Sequence, residues 1–132
     1  MQKFYICKKC GTVIGLAAGA GVPSMCDGEP MTELVPNTAE AATEKHLPTV
    51  TKTDCCGGSC CRGIRVSVGS VPHPMTDAHF IGFVYVETEH GGQRRALVPG
   101  AEPVLEFCCC QDKPVAVYAY CNLHGLWKTE IP

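Results

Sequence analysis

From Arg65 to Cys121 apolar and polar residues alternate with a period of two, and this pattern confines the chain to antiparallel β structure more firmly than any other feature. Residues 65–69, 80–88, 94–98, 104–110 and 115–121 each fit a half-buried strand. Glu89-His90-Gly91-Gly92 and Gln111-Asp112-Lys113-Pro114 separate strands and are predicted hairpin turns. Short strands at this spacing predict an all-β fold, an antiparallel sandwich. With 45% apolar and only 18% charged residues, 132 residues suffice for a real core. The formal net charge of −2 gives no basic field for nucleic acid. The longest small-apolar run, residues 13–22, is half of what a bilayer crossing needs.

The first 36 residues read differently. Cys7-Lys-Lys-Cys10-Gly11, a glycine-rich middle and Cys26-Asp27-Gly28 form a Cys/Gly unit with too little apolar bulk to fold on packing alone. Residues 1–36 are therefore expected as one domain and 37–132 as the sandwich. Thr38 is placed to cap a short helix from Ala39 to Lys45, which Pro48 prevents from continuing. Lys8 and Lys9 follow only four residues after Lys3, which interrupts any secretory apolar stretch and predicts a cytoplasmic protein. In that reducing compartment, eleven cysteines point to metal or redox chemistry rather than to a disulfide scaffold.

Histidine supplies the next constraint. His46 closes Glu44-Lys45-His46; His73 lies between Pro72 and Pro74, and His79 follows six residues later; His124 lies in Tyr120-Cys121-Asn122-Leu123-His124-Gly125-Leu126-Trp127. A Cys-x-x-His turn can aim both side chains at one point, and the prolines reduce the entropy lost in presenting His73. His90, in a Glu-His-Gly-Gly turn, reads as solvent-exposed.

Glu44-Lys45-His46, His73-Pro74-Met75-x-x-x-His79 and the segment from Tyr120 to Lys128, in that order, resemble the desulfoferrodoxin or superoxide reductase family. The Cys7-x-x-Cys10-Gly11 unit resembles that family's desulforedoxin-like domain, so the likeness covers nearly the whole chain. The resemblance implies an immunoglobulin-like β-sandwich with one mononuclear non-haem iron. It implies His46, His73, His79 and His124 as equatorial ligands, Cys121 as the axial ligand, and an open sixth position. It also implies one-electron reduction of superoxide to hydrogen peroxide, with Lys45 steering the anion and Glu44 filling the sixth position when the iron is oxidised. An electron donor such as rubredoxin and a homodimer are the family expectations.

The chain departs from the family in three places. Cys26-Asp27 stands where the complete first centre has a Cys-Cys pair, so a second iron or zinc at Cys7, Cys10 and Cys26 has three outcomes. The unit is empty, or it is completed by Asp27 or water, or it borrows a thiolate from elsewhere; loss of that centre's redox function is the favoured reading. Cys55-Cys56-Gly57-Gly58-Ser59-Cys60-Cys61 replaces a simple turn. Cys108-Cys109-Cys110, placed in a strand, is read as core packing, with Cys109 facing opposite to its neighbours.

Two other classes compete. A cupredoxin-like electron carrier needs two histidines, one cysteine and a weak axial Met, but Gly125, Leu126, Trp127 and Lys128 follow His124. A structural zinc protein needs a closed four-ligand site, against five candidates here.

Overall fold

Short, glycine-punctuated segments give the N-terminal region only fragments of strand. The computed structural model describes residues 1–19, 24–54 and 62–132, which divide into two compact units, Met1–Val35 and Pro36–Pro132. In the first unit, β1 (Phe4–Ile6) lies between β2 (Val13–Gly15) and β5 (Thr32–Glu33), while β3 (Met25–Cys26) and β4 (Glu29–Pro30) form a two-stranded ribbon. Asp27 makes the tight turn of that ribbon at φ 49°. Its small core is Tyr5, Cys7 and Met31.

In the second unit the described residues form seven antiparallel strands in two sheets, after one turn of helix, α1 (Thr43–His46). One sheet has the order β10-β7-β6 (Val104–Cys108, Arg62–Val68, Pro48–Asp54); the other has β12-β11-β8-β9 (Gly125–Glu130, Pro114–Cys121, Ile81–Thr88, Gly92–Ala96). This is the three-plus-four sandwich of the immunoglobulin-like class. Its core comes from inward-facing positions at every second residue: Ile64, Val66 and Val68 from β7, Val84 and Val86 from β8, and Val117, Ala119 and Cys121 from β11. Cys121 thus shares the parity of the core and points between the sheets.

Several sequence expectations are corrected. The helix covers Thr43–His46 rather than Ala39 to Lys45, and Thr38 does not cap it: the residue before it is Ala42, which makes no side-chain cap. Pro48 starts β6, which the alternation misses because Lys52 and Asp54 occupy the parity of Pro48 and Val50, where a core strand would carry apolar residues; β6 is an edge strand, where an initial proline costs no ladder bond. β12 was also missed. The 89–92 segment does join the paired strands β8 and β9. The 111–114 segment is not a hairpin: it carries the chain from β10, paired with β7, to β11, paired with β8 and β12 in the other sheet. β10 ends at Cys108, so only Cys109 of the three neighbouring cysteines joins the core. Residues 55–61, which hold the four-cysteine loop, lie outside the described residues.

Candidate metal centre

Two local ties bring residues 38–46 to the β12 side of the sandwich. Asn37, at φ 62°, accepts from Lys128 N at 2.8 Å and donates to Lys128 O at 3.1 Å, clamping the start of the unit to β12. α1 then places His46 face to face with Trp127, with ring centroids 4.9 Å apart and planes 26° apart. His73 enters from the loop after β7, His79 from the approach to β8, and His124 from the turn between β11 and β12, where Cys121 pairs with Gly125.

These residues converge. His46, His73, His79 and Cys121 each place one donor atom within 4.8 Å of the others. His124 joins through Nδ1, 3.1 Å from His46 Nε2 and 3.8 Å from Cys121 Sγ. The four imidazoles form a square: neighbouring centroids are 4.7 Å (His46–His73), 4.6 Å (His73–His79), 5.1 Å (His79–His124) and 4.8 Å (His46–His124) apart, with near-perpendicular planes. The His46–His79 diagonal is 6.1 Å. Cys121 Sγ lies 3.2 Å from His79 Nε2.

The tautomers are fixed from outside the square. His46 Nδ1 donates to Ala42 O at 2.7 Å and His73 Nδ1 to Pro74 O at 2.7 Å, so both Nε2 lone pairs face inward. His73 Nε2 is buried and has no hydrogen-bond partner. An unsatisfied buried acceptor of this kind costs about 1–3 kcal/mol, which a bound cation would offset. Two nitrogen donors about 2.1 Å from one ion and at right angles lie about 3.0 Å apart, close to the 3.1 Å between His46 Nε2 and His124 Nδ1. The donor set fits a transition-metal ion that accepts imidazole and thiolate.

Electrostatics agree with that fit. Burial lowers the basicity of His46, His73 and His79, holding His73 at about 4, so these rings stay neutral and able to ligate at neutral pH. Burial pushes the Cys121 thiol up, opposed by backbone N–H groups of Leu123 and His124 directed at the sulfur. Cys121 is 0% exposed, whereas His79 and His124 are half-buried, so the centre has one flank open to solvent. Glu44 and Lys45 are exposed beside it on α1. The Lys45 charge contributes to the lowered basicity of His46 and His79. His90 lies away from the square, exposed in the β8–β9 turn, 3.0 Å from Asp112.

Sequence reasoning missed three supports. Asn122 Oδ1 accepts from Phe80 N and its Nδ2 donates to Ala78 O, both at 2.9 Å, so the residue after Cys121 straddles His79. Trp127 stacks on His46 and donates from Nε1 to His124 O at 3.2 Å. Gly69, at φ 83°, lets the loop after β7 lie against the backbone of Glu44 and Lys45. Asn122 and Trp127 lie inside the Tyr120–Lys128 motif, but nothing in its spacing names their partners.

In the N-terminal unit Cys7, Cys10 and Cys26 converge, with Cys10 Sγ and Cys26 Sγ 3.6 Å apart, and these three sulfurs could hold a second metal. The Thr12 hydroxyl draws Cys10 down to about 7, while the hydrogen bond with Cys7 pushes Cys26 up to about 12. The exposed Asp27 carboxylate pairs with Lys9 at 3.5 Å rather than joining the sulfur cluster.

Comparison with known proteins places this geometry. The model of the Desulfoferrodoxin family matches residues 38–130. The desulfoferrodoxin of Clostridium acetobutylicum is 41% identical over 127 residues, covering 96% of this chain and 94% of that protein. The desulfoferrodoxin of Nitratidesulfovibrio vulgaris is 38% identical over 128 residues, covering 97% and 95%. Among solved structures, the superoxide reductase from Treponema pallidum superposes with a TM-score of 0.79 at 31% identity, covering 98% of this chain and 99% of that one. With the family model spanning the sandwich and relatives matching along almost their whole length, the chain belongs to the desulfoferrodoxin family.

Proposed function

We propose that the chain is a superoxide reductase, reducing superoxide by one electron to hydrogen peroxide at a mononuclear iron held by His46, His73, His79, His124 and Cys121. The observation that carries this reading is the square of inward-facing imidazoles closed by the buried Cys121 sulfur. Ferrous iron bound there would supply the single electron and a positive charge to attract the anion. Five donors exceed the closed tetrahedral set of a structural zinc site, and four imidazoles exceed the two of a blue-copper centre.

The chain's own groups have separate tasks. The neutral imidazoles leave the positive charge of a bound ion uncancelled. With an ion bound, Cys121 would ligate as the thiolate and would supply electron density to it, as thiolates do in haem enzymes that cleave dioxygen species. The two protons that complete hydrogen peroxide enter from solvent across the open flank at His79 and His124. Lys45, exposed on α1, would attract superoxide, and the Glu44 carboxylate beside it would be a further ligand for the ion in the oxidised protein. Rubredoxin as donor and a homodimer complete the proposal and rest on the family resemblance; a cytoplasmic location is proposed from the lysines at positions 3, 8 and 9. Among the described residues no helix is long and apolar enough to cross a membrane.

The direct test is rapid mixing of iron-loaded, reduced protein with superoxide. Consumption should continue over many turnovers while an electron donor lasts, with one peroxide formed per superoxide. Consumption that stops, or that yields dioxygen in equal amount to peroxide, would reject the reading. The Lys45→Ala variant should keep its iron and capture superoxide about 3–10-fold more slowly at low ionic strength, the difference shrinking as salt screens it. An unchanged rate at low salt would remove Lys45 from the mechanism.

A further inference from the structure

Cys108 and Cys110 do not pack in the core. Cys109 does: it is buried with Phe107 and Ile64, and burial pushes its thiol up, as expected of an inert structural cysteine. The strand ends at Cys108 and the chain bends by Cys110, which turns the two outer thiols toward each other. Their sulfurs lie 2.9 Å apart and both side chains are half-buried. Unbonded core atoms settle at about 3.5–4.0 Å, whereas a disulfide closes at about 2.05 Å, so the pair stands close to bonding distance. The backbone holding them is anchored on two sides. Gln93 Nε2 donates to Cys108 O at 2.7 Å from β9, and Cys109 N donates to Arg62 O at 2.7 Å on β7.

Their place in the fold is also informative. Thr88 pairs with Pro114 at one end of β8 and Ile81 with Cys121 at the other. The thiol pair, which precedes Pro114, is therefore separated from the metal centre by the length of a strand, about 20–25 Å. It can accept small diffusing molecules without touching the ligands.

We propose that Cys108 and Cys110 form a peroxide-reactive dithiol that closes to a disulfide. One thiolate attacks a peroxide oxygen; the O–O bond breaks, a sulfenic acid forms and the first water leaves. The second sulfur then attacks the sulfenyl sulfur; the S–O bond breaks, the S–S bond forms and the second water leaves. The pair loses two electrons and two protons, and hydrogen peroxide becomes two waters. The source of peroxide rests on the superoxide reductase reading, since peroxide is that reaction's product. The chain would then reduce one product molecule on itself and carry a record of its own turnover until a dithiol reductant resets it.

The test adds peroxide directly. Reduced holoprotein is treated with one equivalent of hydrogen peroxide, alkylated and digested with chymotrypsin. Cleavage after Phe107 and Tyr118 yields a peptide whose only cysteines are Cys108, Cys109 and Cys110. More than half of it should change from three alkyl groups to one, with fragmentation placing that group on Cys109. Dithiothreitol should restore all three. In Cys110→Ser and in Cys108→Ser, whose changed side chains lie outside the core, dimedone should label the remaining outer cysteine of at least one variant as its sulfenic acid. A peptide that keeps three alkyl groups, or a disulfide that includes Cys109, would overturn the proposal. So would the absence of a dimedone adduct in both variants. Closure in a protein that failed to consume superoxide would uphold the dithiol and reject the reductase, so the two failures are distinct.

Discussion

Iron-loaded protein carrying Cys121→Ser should lose its thiolate-to-metal charge-transfer absorption and react with superoxide at least about 100-fold more slowly, a barrier increase of roughly 2.7 kcal/mol. Cys121 is wholly buried, lies 3.2 Å from His79 Nε2 and, among the described residues, is the one cysteine sulfur grouped with the imidazoles. Its protein surroundings alone keep it a thiol, because burial outweighs the N–H groups of Leu123 and His124. Ionisation therefore depends on a cation among the imidazoles. A serine hydroxyl resists ionisation far more strongly, and its oxygen is a poorer electron donor than sulfur. The fold should survive, because serine is of similar size and the same N–H groups can bond its oxygen. Metal content and the thermal midpoint, measured on the same sample, separate loss of reactivity from loss of iron or of structure. An iron-replete variant with the band and the rate intact would remove Cys121 from the centre.

The same residue shows what was legible in the sequence. Val117, Ala119 and Cys121 share one parity of β11, so a strict period of two already aims the sulfur inward, and a Cys-x-x-His turn returns His124 beside it. Local pattern was enough because the partners are neighbours in sequence. It failed where the partner is distant. Asn122 reads as a turn residue, and only the fold reveals that it bonds across to Ala78 and Phe80. The 111–114 segment carries ordinary turn chemistry, and nothing in it tells a hairpin from a crossing between sheets. Cys108-Cys109-Cys110 alternates as a strand does, but pairing with β7 ends at Cys108↔Gly63, and the bend beyond brings together two thiols that the alternation reads as core. The 38–42 stretch has helix-forming alanines, but Ala42 is extended, and the turn begins only where His46 can bond back to Ala42 O.

Gly69→Ala should destabilise the second unit by about 2–4 kcal/mol and weaken metal retention, although Gly69 touches none of the ligands. At φ 83° the position favours glycine. A Cβ there would lie 2.3 Å from Val71 O, 2.7 Å from Lys45 O and 2.8 Å from Glu44 O, all backbone atoms with no rotamer to yield. Relief has to come from moving the loop that carries His73 or the helical turn that carries His46. The same turn is fastened at this point by Val71 N to Glu44 O at 3.1 Å, Ser70 Oγ to Glu44 O at 3.2 Å and Gly69 N to Leu47 O at 3.0 Å. Metal-free protein should melt lower by about 4–8 °C per kcal/mol for a unit of this size, and iron should dissociate faster into a chelator. Gly91→Ala is the control: a Cβ there meets nothing within 4 Å, and the residue is not among the positive-φ glycines. It should leave both midpoint and iron release within error. Equal effects from the two substitutions would mean that the loop contact at Glu44 and Lys45 does not hold the imidazole square, and that His46 is placed by Trp127 and its bond to Ala42 O instead.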